Sequence, residues 1–481
     1  MIARICSLII MLLLNAVGAI GQSADSLFAI QDSSKIFTIE NLYELLVRNH
    51  PTARQAALLS DVAQQEIRLA RGNFDPKIES QFLTKSLKGN QYYEIFNGTL
   101  KFPTVLPFDP SIGIEQNKGP YLNPERYIDD TFNNQQLYAG ISLPLGRGLI
   151  TDDRRAALKQ AELFKSMTEA EQVKIINKLL LDATKTYWDW YYAYYHYRLI
   201  NRSYSIADEI FRRVKMNYTF GEASEVDTIQ AGITRQQRLV EQQEALVDFQ
   251  NAGVQLSTML WDSLGNPLEL GAQWQPVLIP DQFVLSQQML QELADNARLN
   301  HPELNKLEIK IQQQEVERKL AAEYLKPQLN LNYYALNQPL NPNGEFSTDF
   351  QDSYKFGVDF SMPIFLRKER SKLALTKLKI NNTKLEQSLT EREIINGITL
   401  AYNELSNLQP ILANQYAMVL ACQRLVDAEL LNLSLGESDL FKINVQQEKL
   451  LDAQGKWLKL LAENEKLKAQ LYWAAGTSRL R

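Results

Sequence analysis

The chain has 481 residues, 45% of them hydrophobic and 22% charged, which is ordinary for a folded protein and enough for two or three domains. Its net charge of −5 argues against a nucleic-acid partner, whose phosphates call for a basic surface. With two cysteines, one of them Cys6 in the leader, the mature chain keeps Cys422 alone and can form neither an intramolecular disulfide nor a cysteine metal cluster.

Residues 1–21 read as a secretory signal peptide: Arg4, an uncharged run from Leu8 to Leu14, and Ala19-Ile-Gly21 at the cleavage position. Beyond it no run of 18 apolar residues occurs. An exported chain of this kind is either soluble outside the inner membrane or crosses an outer membrane as strands.

Residues 27–37 form a polar leader without a strong pattern. A helical period starts at Thr38, is interrupted at His50-Pro51, and ends near Gly72. From Pro76 to Pro144 the texture changes. Strands are expected at about 76–87 and 136–144, where Leu137, Ala139, Ile141 and Leu143 alternate with polar residues. Between them residues 92–132 read as a long loop, with room for one short hairpin around Ile95–Phe102.

No proline occurs from 145 to 266. Apolar residues at three–four spacing (Val173, Ile176, Leu180, Ala183, Tyr187, Trp190, Tyr194, Tyr197) predict a coiled-coil helix over 152–218. At 1.5 Å per residue that helix is about 100 Å long. Gly221 breaks it, Ser224 can cap the next helix, and the return runs over 223–262. Residues 263–284 form a linker rich in Gly and Pro.

The second half repeats the first. His301-Pro302 matches His50-Pro51, and Pro327 matches Pro76 at the same offset. Strands follow at about 327–336 and 354–363. A long helix covers 366–434 with one kink expected at Pro410, then a tip at Gly436-Glu-Ser and a return helix to Gly476. The expected organisation is therefore a first repeat, 22–262, a second, 285–476, and a tail, 477–481. The fold class is mixed α/β: mainly long coiled-coil α-helices plus four antiparallel strands per chain, or six if the extra hairpin counts. So few strands cannot close a barrel, so several copies must share one.

These features resemble the TolC family of outer-membrane efflux and secretion channels. The resemblance spans nearly the whole mature chain. Its carriers are Ser142-Leu-Pro-Leu-Gly-Arg-Gly148, Ser361-Met-Pro-Ile364, and the tips Gly221-Glu-Ala-Ser224 and Gly436-Glu-Ser438. It implies a homotrimer with a twelve-stranded barrel in the bacterial outer membrane and a helical tunnel through the periplasm. It also implies a periplasmic adaptor (membrane fusion) protein bound at the tips and, through it, an inner-membrane pump of RND or ABC type. The tip residues so implied are Gly221, Glu222, Ser224, Gly436, Glu437 and Ser438, and the entrance is lined by Glu225, Asp227 and Asp439. The second tip departs from the family: Phe441 and Asn444 stand where acidic residues are usual.

No nucleophile–base pair, metal-ligand spacing or phosphate loop is visible, so neither catalysis nor a cofactor or metal is expected. His50 and His301 beside their prolines read as packing residues, and the aromatic run around His196 reads as wall packing. The function expected is a passive exit duct of a tripartite efflux or type I secretion system. The alternative is a periplasmic coiled-coil adaptor or scaffold without a pore, which would have no use for amphipathic strands.

Overall fold

The computed structural model describes residues 35–128, 133–221, 223–271, 273–277, 283–337, 353–435 and 437–477. The expected signal peptide and the tip residues Glu222 and Gly436 lie outside the described residues.

In chain order the elements are β1 (Lys35–Phe37), α1 (Ile39–Asn49), α2 (Pro51–Arg71), β2 (Lys77–Leu87), β3 (Asn90–Lys101), β4 (Asp109–Lys118), β5 (Gln135–Pro144), α3 (Asp153–Thr219) and α4 (Glu225–Ser257). They continue with β6 (Trp274–Pro276), α5 (Gln287–Asn300), α6 (Pro302–Glu323), β7 (Gln328–Asn337), β8 (Tyr354–Ser361), α7 (Arg367–Ser434) and α8 (Leu440–Ala474). The expected helix and strand limits hold to within about five residues. Pro410 lies inside α7, which continues through it.

The two His-Pro junctions share one geometry. His50 ends α1 in extended backbone at φ −63°, ψ 134°, and Pro51 opens α2. His301 does the same between α5 and α6 at φ −63°, ψ 128°. Proline forbids the helical region to the residue before it yet suits the first helical position, so each pair ends one helix and starts another.

The chain divides into two units. The first comprises residues 1–57, 172–302 and 391–481. Its core is aromatic: Tyr187, Trp190 and Tyr191 of α3 have no exposed surface, and Trp188 and Tyr195 are buried beside them. These rings anchor β1 and β6, which pair in parallel although the sequence reads as a polar leader and a linker there. The Tyr187 hydroxyl donates to the Phe37 carbonyl at 2.9 Å and the Tyr195 hydroxyl to the Pro276 carbonyl at 3.0 Å. Burial pushes the Tyr195 hydroxyl pKa up to about 12, so it stays a donor at any physiological pH. A second cluster joins Ala297 of α5, Ile398 and Leu405 of α7, and Leu471 of α8.

The second unit comprises residues 58–171 and 303–390 and holds one six-stranded antiparallel sheet in the order β2-β3-β4-β5-β7-β8. The four expected strands are all present. The expected loop at 92–132 is corrected: it holds most of two full strands, β3 and β4, inserted between β2 and β5. Among the described residues this sheet therefore has six strands where a twelve-stranded trimer would need four per copy. β3 pairs with β2 along its whole length through the two-residue turn Lys88-Gly89, both at positive φ, as a tight hairpin requires. β4 pairs with β5 from Asp109↔Ser142 to Gln116↔Gln135.

Candidate functional site

The sheet has two chemically opposite faces, fixed by its register. Directly paired residues share a face, so the row Ile78–Leu100–Ile112–Ala139–Ala335 crosses five strands on one side. The same face carries Phe82, Phe96, Ile114, Leu137, Ile141, Leu331, Tyr333, Phe356, Val358 and Phe360. Much of it is open: Ile78 is 85% exposed, Phe82 59%, Val358 54% and Phe360 68%. An apolar surface of this extent marks contact with lipid or another protein. The expected grouping of Leu137, Ala139, Ile141 and Leu143 on one face is what the pairing produces.

The opposite face is polar and concave. Lys355 on β8 reaches Glu115 on β4 at 3.5 Å over the two strands between them, which only a curled sheet allows. Lys101 pairs with Glu79 at 2.6 Å, and Arg154 of α3 grips Asp109 through both carboxylate oxygens. On the strands of this face Lys77, Lys85, Lys101 and Lys355 stand against Glu79, Asp109, Glu115 and Asp359, so charge is balanced. Glycines make room for tyrosines lying flat on it. The Tyr138 ring covers Gly113, where a Cβ would sit 2.4 Å from it, and Tyr334 covers Gly140 in the same way. Tyr138 donates to Asn97 Oδ1 at 2.9 Å, so its ring is held against the wall.

The motif at 142–148 has a structural explanation. A Cβ on Gly146 would lie 2.1 Å from the Pro327 carbonyl, so only glycine lets β5 leave the sheet there. Arg147 stacks on the Tyr324 ring at 3.4 Å, and Tyr324 donates to Asp153 at 2.6 Å. Asp152 accepts from the Arg155 amide at 2.8 Å, starting α3.

In the first unit, the hairpin tip after α3 turns at Gly221, at φ +78° with open space around it. Ser224 caps α4: its hydroxyl accepts from the Asp227 amide at 3.1 Å, while Asp227 accepts from the Ser224 amide at 3.1 Å and hydroxyl at 2.8 Å. These bonds hold the Asp227 carboxyl below its usual range. Glu225 is exposed in the first turn. The second tip is built differently. The Glu437 amide donates to the Asn432 carbonyl, Ser438 donates to Glu429 at 2.5 Å, and Asp439 caps α8 by accepting from the Lys442 amide at 2.8 Å. Asp227 and Asp439 thus have capping roles that sequence reading assigned to Ser224 alone. Phe220, Leu435 and Phe441 are 74%, 65% and 61% exposed at the tips, three apolar residues that turn chemistry does not require.

One further surface follows from spacing. Val226, Ile233, Val240, Val247 and Val254 recur every seven residues along α4, and each is between 46% and 69% exposed. Ile411, Met418 and Leu425 of α7 repeat the interval and are similarly open. Such a stripe is one half of a coiled-coil seam.

His50 packs against Trp261 and accepts from the Thr52 amide at 3.2 Å; burial lowers its pKa. His196 stacks on Tyr192 and is also lowered by burial. No cluster with metal-ligand geometry occurs among the described residues.

Residues 293–477 match the family of Outer membrane efflux protein. No curated protein sequence matches the chain. Among solved structures, the CmeC outer-membrane channel of Campylobacter jejuni superposes with a TM-score of 0.63 at 14% identity, covering 95% of this chain and 92% of that one. VceC of Vibrio cholerae gives 0.61 at 13% identity, covering 92% and 96%. The open state of the Neisseria gonorrhoeae MtrE channel gives 0.63 at 15% identity, covering 91% and 89%. The fold is that of these TolC-like outer-membrane channels.

Proposed function

We propose that this chain, an outer-membrane efflux protein by its family match and its fold, is the passive exit duct of a tripartite efflux or type I secretion system. The observation that carries the reading is the two-faced sheet. Its exposed apolar face suits lipid, its balanced polar face suits water, and the edge strands β2 and β8 each have only one neighbouring strand among the described residues. An open edge is not viable in lipid, so other copies must complete the wall. The heptad stripes on α4 and α7 support the same assembly, because each exposes a seam that a helix of a neighbouring copy would cover. In this reading three copies assemble, cargo is driven by an inner-membrane pump, and a periplasmic adaptor docks at the tips.

The open tip residues Phe220, Leu435 and Phe441 favour an apolar adaptor contact over a purely electrostatic one. A scaffold without a pore would carry the same hairpins but no lipid-facing strands. Membrane fractionation followed by negative-stain imaging tests the proposal. A duct is extracted only with detergent and images as a hollow three-fold particle. Release with the soluble periplasm, or particles without a central opening, would overturn it.

A further inference from the structure

The hairpin β3–β4 lies inside the sheet, with β2 on one side and β5 on the other. We propose that it is part of the membrane wall, that the shared barrel closes at eighteen strands, and that the bore passes bulkier hydrophilic cargo than a twelve-stranded barrel would. The inference rests on the three-copy reading above.

Three observations support it. First, β3 and β4 are 12 and 10 residues long, about the 9–11 that span a tilted path across a bilayer. Second, they carry the same alternation as their neighbours and in the same register. Leu100 and Ile112 continue the apolar row from Ile78 to Ala139, while Thr99 and Gly113 continue the polar face from Glu79 to Tyr138. A hairpin standing outside the membrane would have no reason to keep Phe96, Leu100, Ile112 and Ile114 on the lipid side. Third, removing the hairpin conceptually leaves β2 and β5 antiparallel and adjacent, as in a four-stranded wall. The hairpin is therefore an insertion that adds circumference and leaves the order of the other strands unchanged.

Barrel diameter grows roughly linearly with strand number, and barrels of 16–18 strands hold an open aqueous channel. Six strands from each of three copies make a barrel about half again as wide as one of twelve. The concave face keeps that width free. Tyr138 and Tyr334 lie flat over Gly113 and Gly140, and the lysines and carboxylates of this face balance. A wide, polar, charge-balanced bore selects by size more than by charge.

The test uses the full-length channel purified in detergent. Native mass spectrometry first counts the copies; any number other than three removes the reading on which eighteen strands rests. In a Cys422→Ser background, Ile112→Cys is labelled with a fluorophore and reconstituted into vesicles of brominated phosphatidylcholine. Quenching by the lipid is expected, together with blockage of single-channel current by a water-soluble maleimide at Lys101→Cys. An unquenched label at Ile112→Cys would overturn the proposal, because the hairpin would then lie outside the wall. Polyethylene glycols of graded size then gauge the bore, with the channel compared to a variant lacking residues 90–118. The variant is expected to lose about half the conductance and to exclude smaller polymers. Equal conductance and an equal cut-off would overturn the width argument. A variant that fails to assemble leaves the lipid-quenching result to decide.

Discussion

Lys355 of β8 and Glu115 of β4 meet at 3.5 Å although β5 and β7 lie between their strands. The pair is a chord across the concave face, and it fixes which side of the sheet faces inward. With Lys355 60% exposed, its contribution to stability is small, at most about 1 kcal/mol. Its effect on permeation is larger. Lys355→Glu turns a balanced concave face into one carrying two excess negative charges per copy. The channel is expected to become cation-selective, read as a shifted reversal potential under a salt gradient, while Glu115→Lys shifts it the other way. Unchanged reversal potentials in both variants would mean this face does not line the path.

The convex face makes the opposite demand. Val358 pairs with Leu331 and is 54% exposed among other apolar residues. Val358→Arg or Leu331→Arg places a cation against lipid, at a cost of about 2–4 kcal/mol near the bilayer centre. Heat-resistant oligomers on semi-denaturing gels are expected to be lost. Asp359→Asn, one residue along on the concave face, is expected to keep them.

Glycines in the sheet divide by what surrounds them. Gly140 and Gly146 each face a backbone carbonyl that an added Cβ would approach within 2.2 Å, whereas Gly357 has open space. Gly140→Ala and Gly146→Ala are expected to lower stability by about 1–3 kcal/mol, the range for overpacking. Gly357→Ala is expected to be neutral or slightly stabilising. Thermal unfolding of the reconstituted protein checks the contrast.

Much of this arrangement is legible in sequence because long helices and amphipathic strands leave strong periodic patterns. The limits of α3, α7, β5 and β7 follow from those patterns, and the His-Pro junctions from proline sterics. β3 and β4 are harder to read. Asn97, Gly98 and Thr99 interrupt one strand, and Pro110 and Gly113 the other, and such residues ordinarily mark loops. The structure explains them. Asn97 and Thr99 bind the Tyr138 hydroxyl on the inward face, and Gly113 admits its ring. A strand with one wet face gives a weak signal. Lys88-Gly89 was the available clue, being a two-residue hairpin turn with glycine at its second position. β1 and β6 are three residues each and owe their pairing to the buried rings of α3, a tertiary cause that no local pattern reports. At the tips the caps are local and readable, whereas docking depends on a partner and is not.

The cap of α4 gives a pH-dependent expectation. Hydrogen bonds from the Ser224 side chain and backbone lower the folded pKa of Asp227. A carboxyl lowered on folding adds stability that is fully present above its unfolded pKa and is lost as pH falls through the folded one. Amides in the first turn of α4 should therefore exchange slowly at neutral pH and lose protection below the ordinary aspartate range. Ser224→Ala removes the reciprocal cap, at about 1 kcal/mol, and should loosen the same turn at every pH. Equal protection in the variant and the parent chain would show that the capping box does not hold the tip.

Gly221 sits at φ +78°, a region that proline, locked near −65°, cannot enter. Gly221→Pro must therefore redirect the turn and move Phe220, which is 74% exposed beside it. The aromatic core around Tyr187 and Trp190, and the whole six-stranded sheet, involve no residue of the turn. Assembly is thus expected to survive while adaptor pairing fails. Co-purification of the adaptor after crosslinking in cells, with oligomers measured from the same sample, separates the two effects. Phe220→Ser, which leaves the backbone alone, should weaken pairing through lost apolar contact only. If both variants retain the adaptor and full export, the tip does not carry the docking contact.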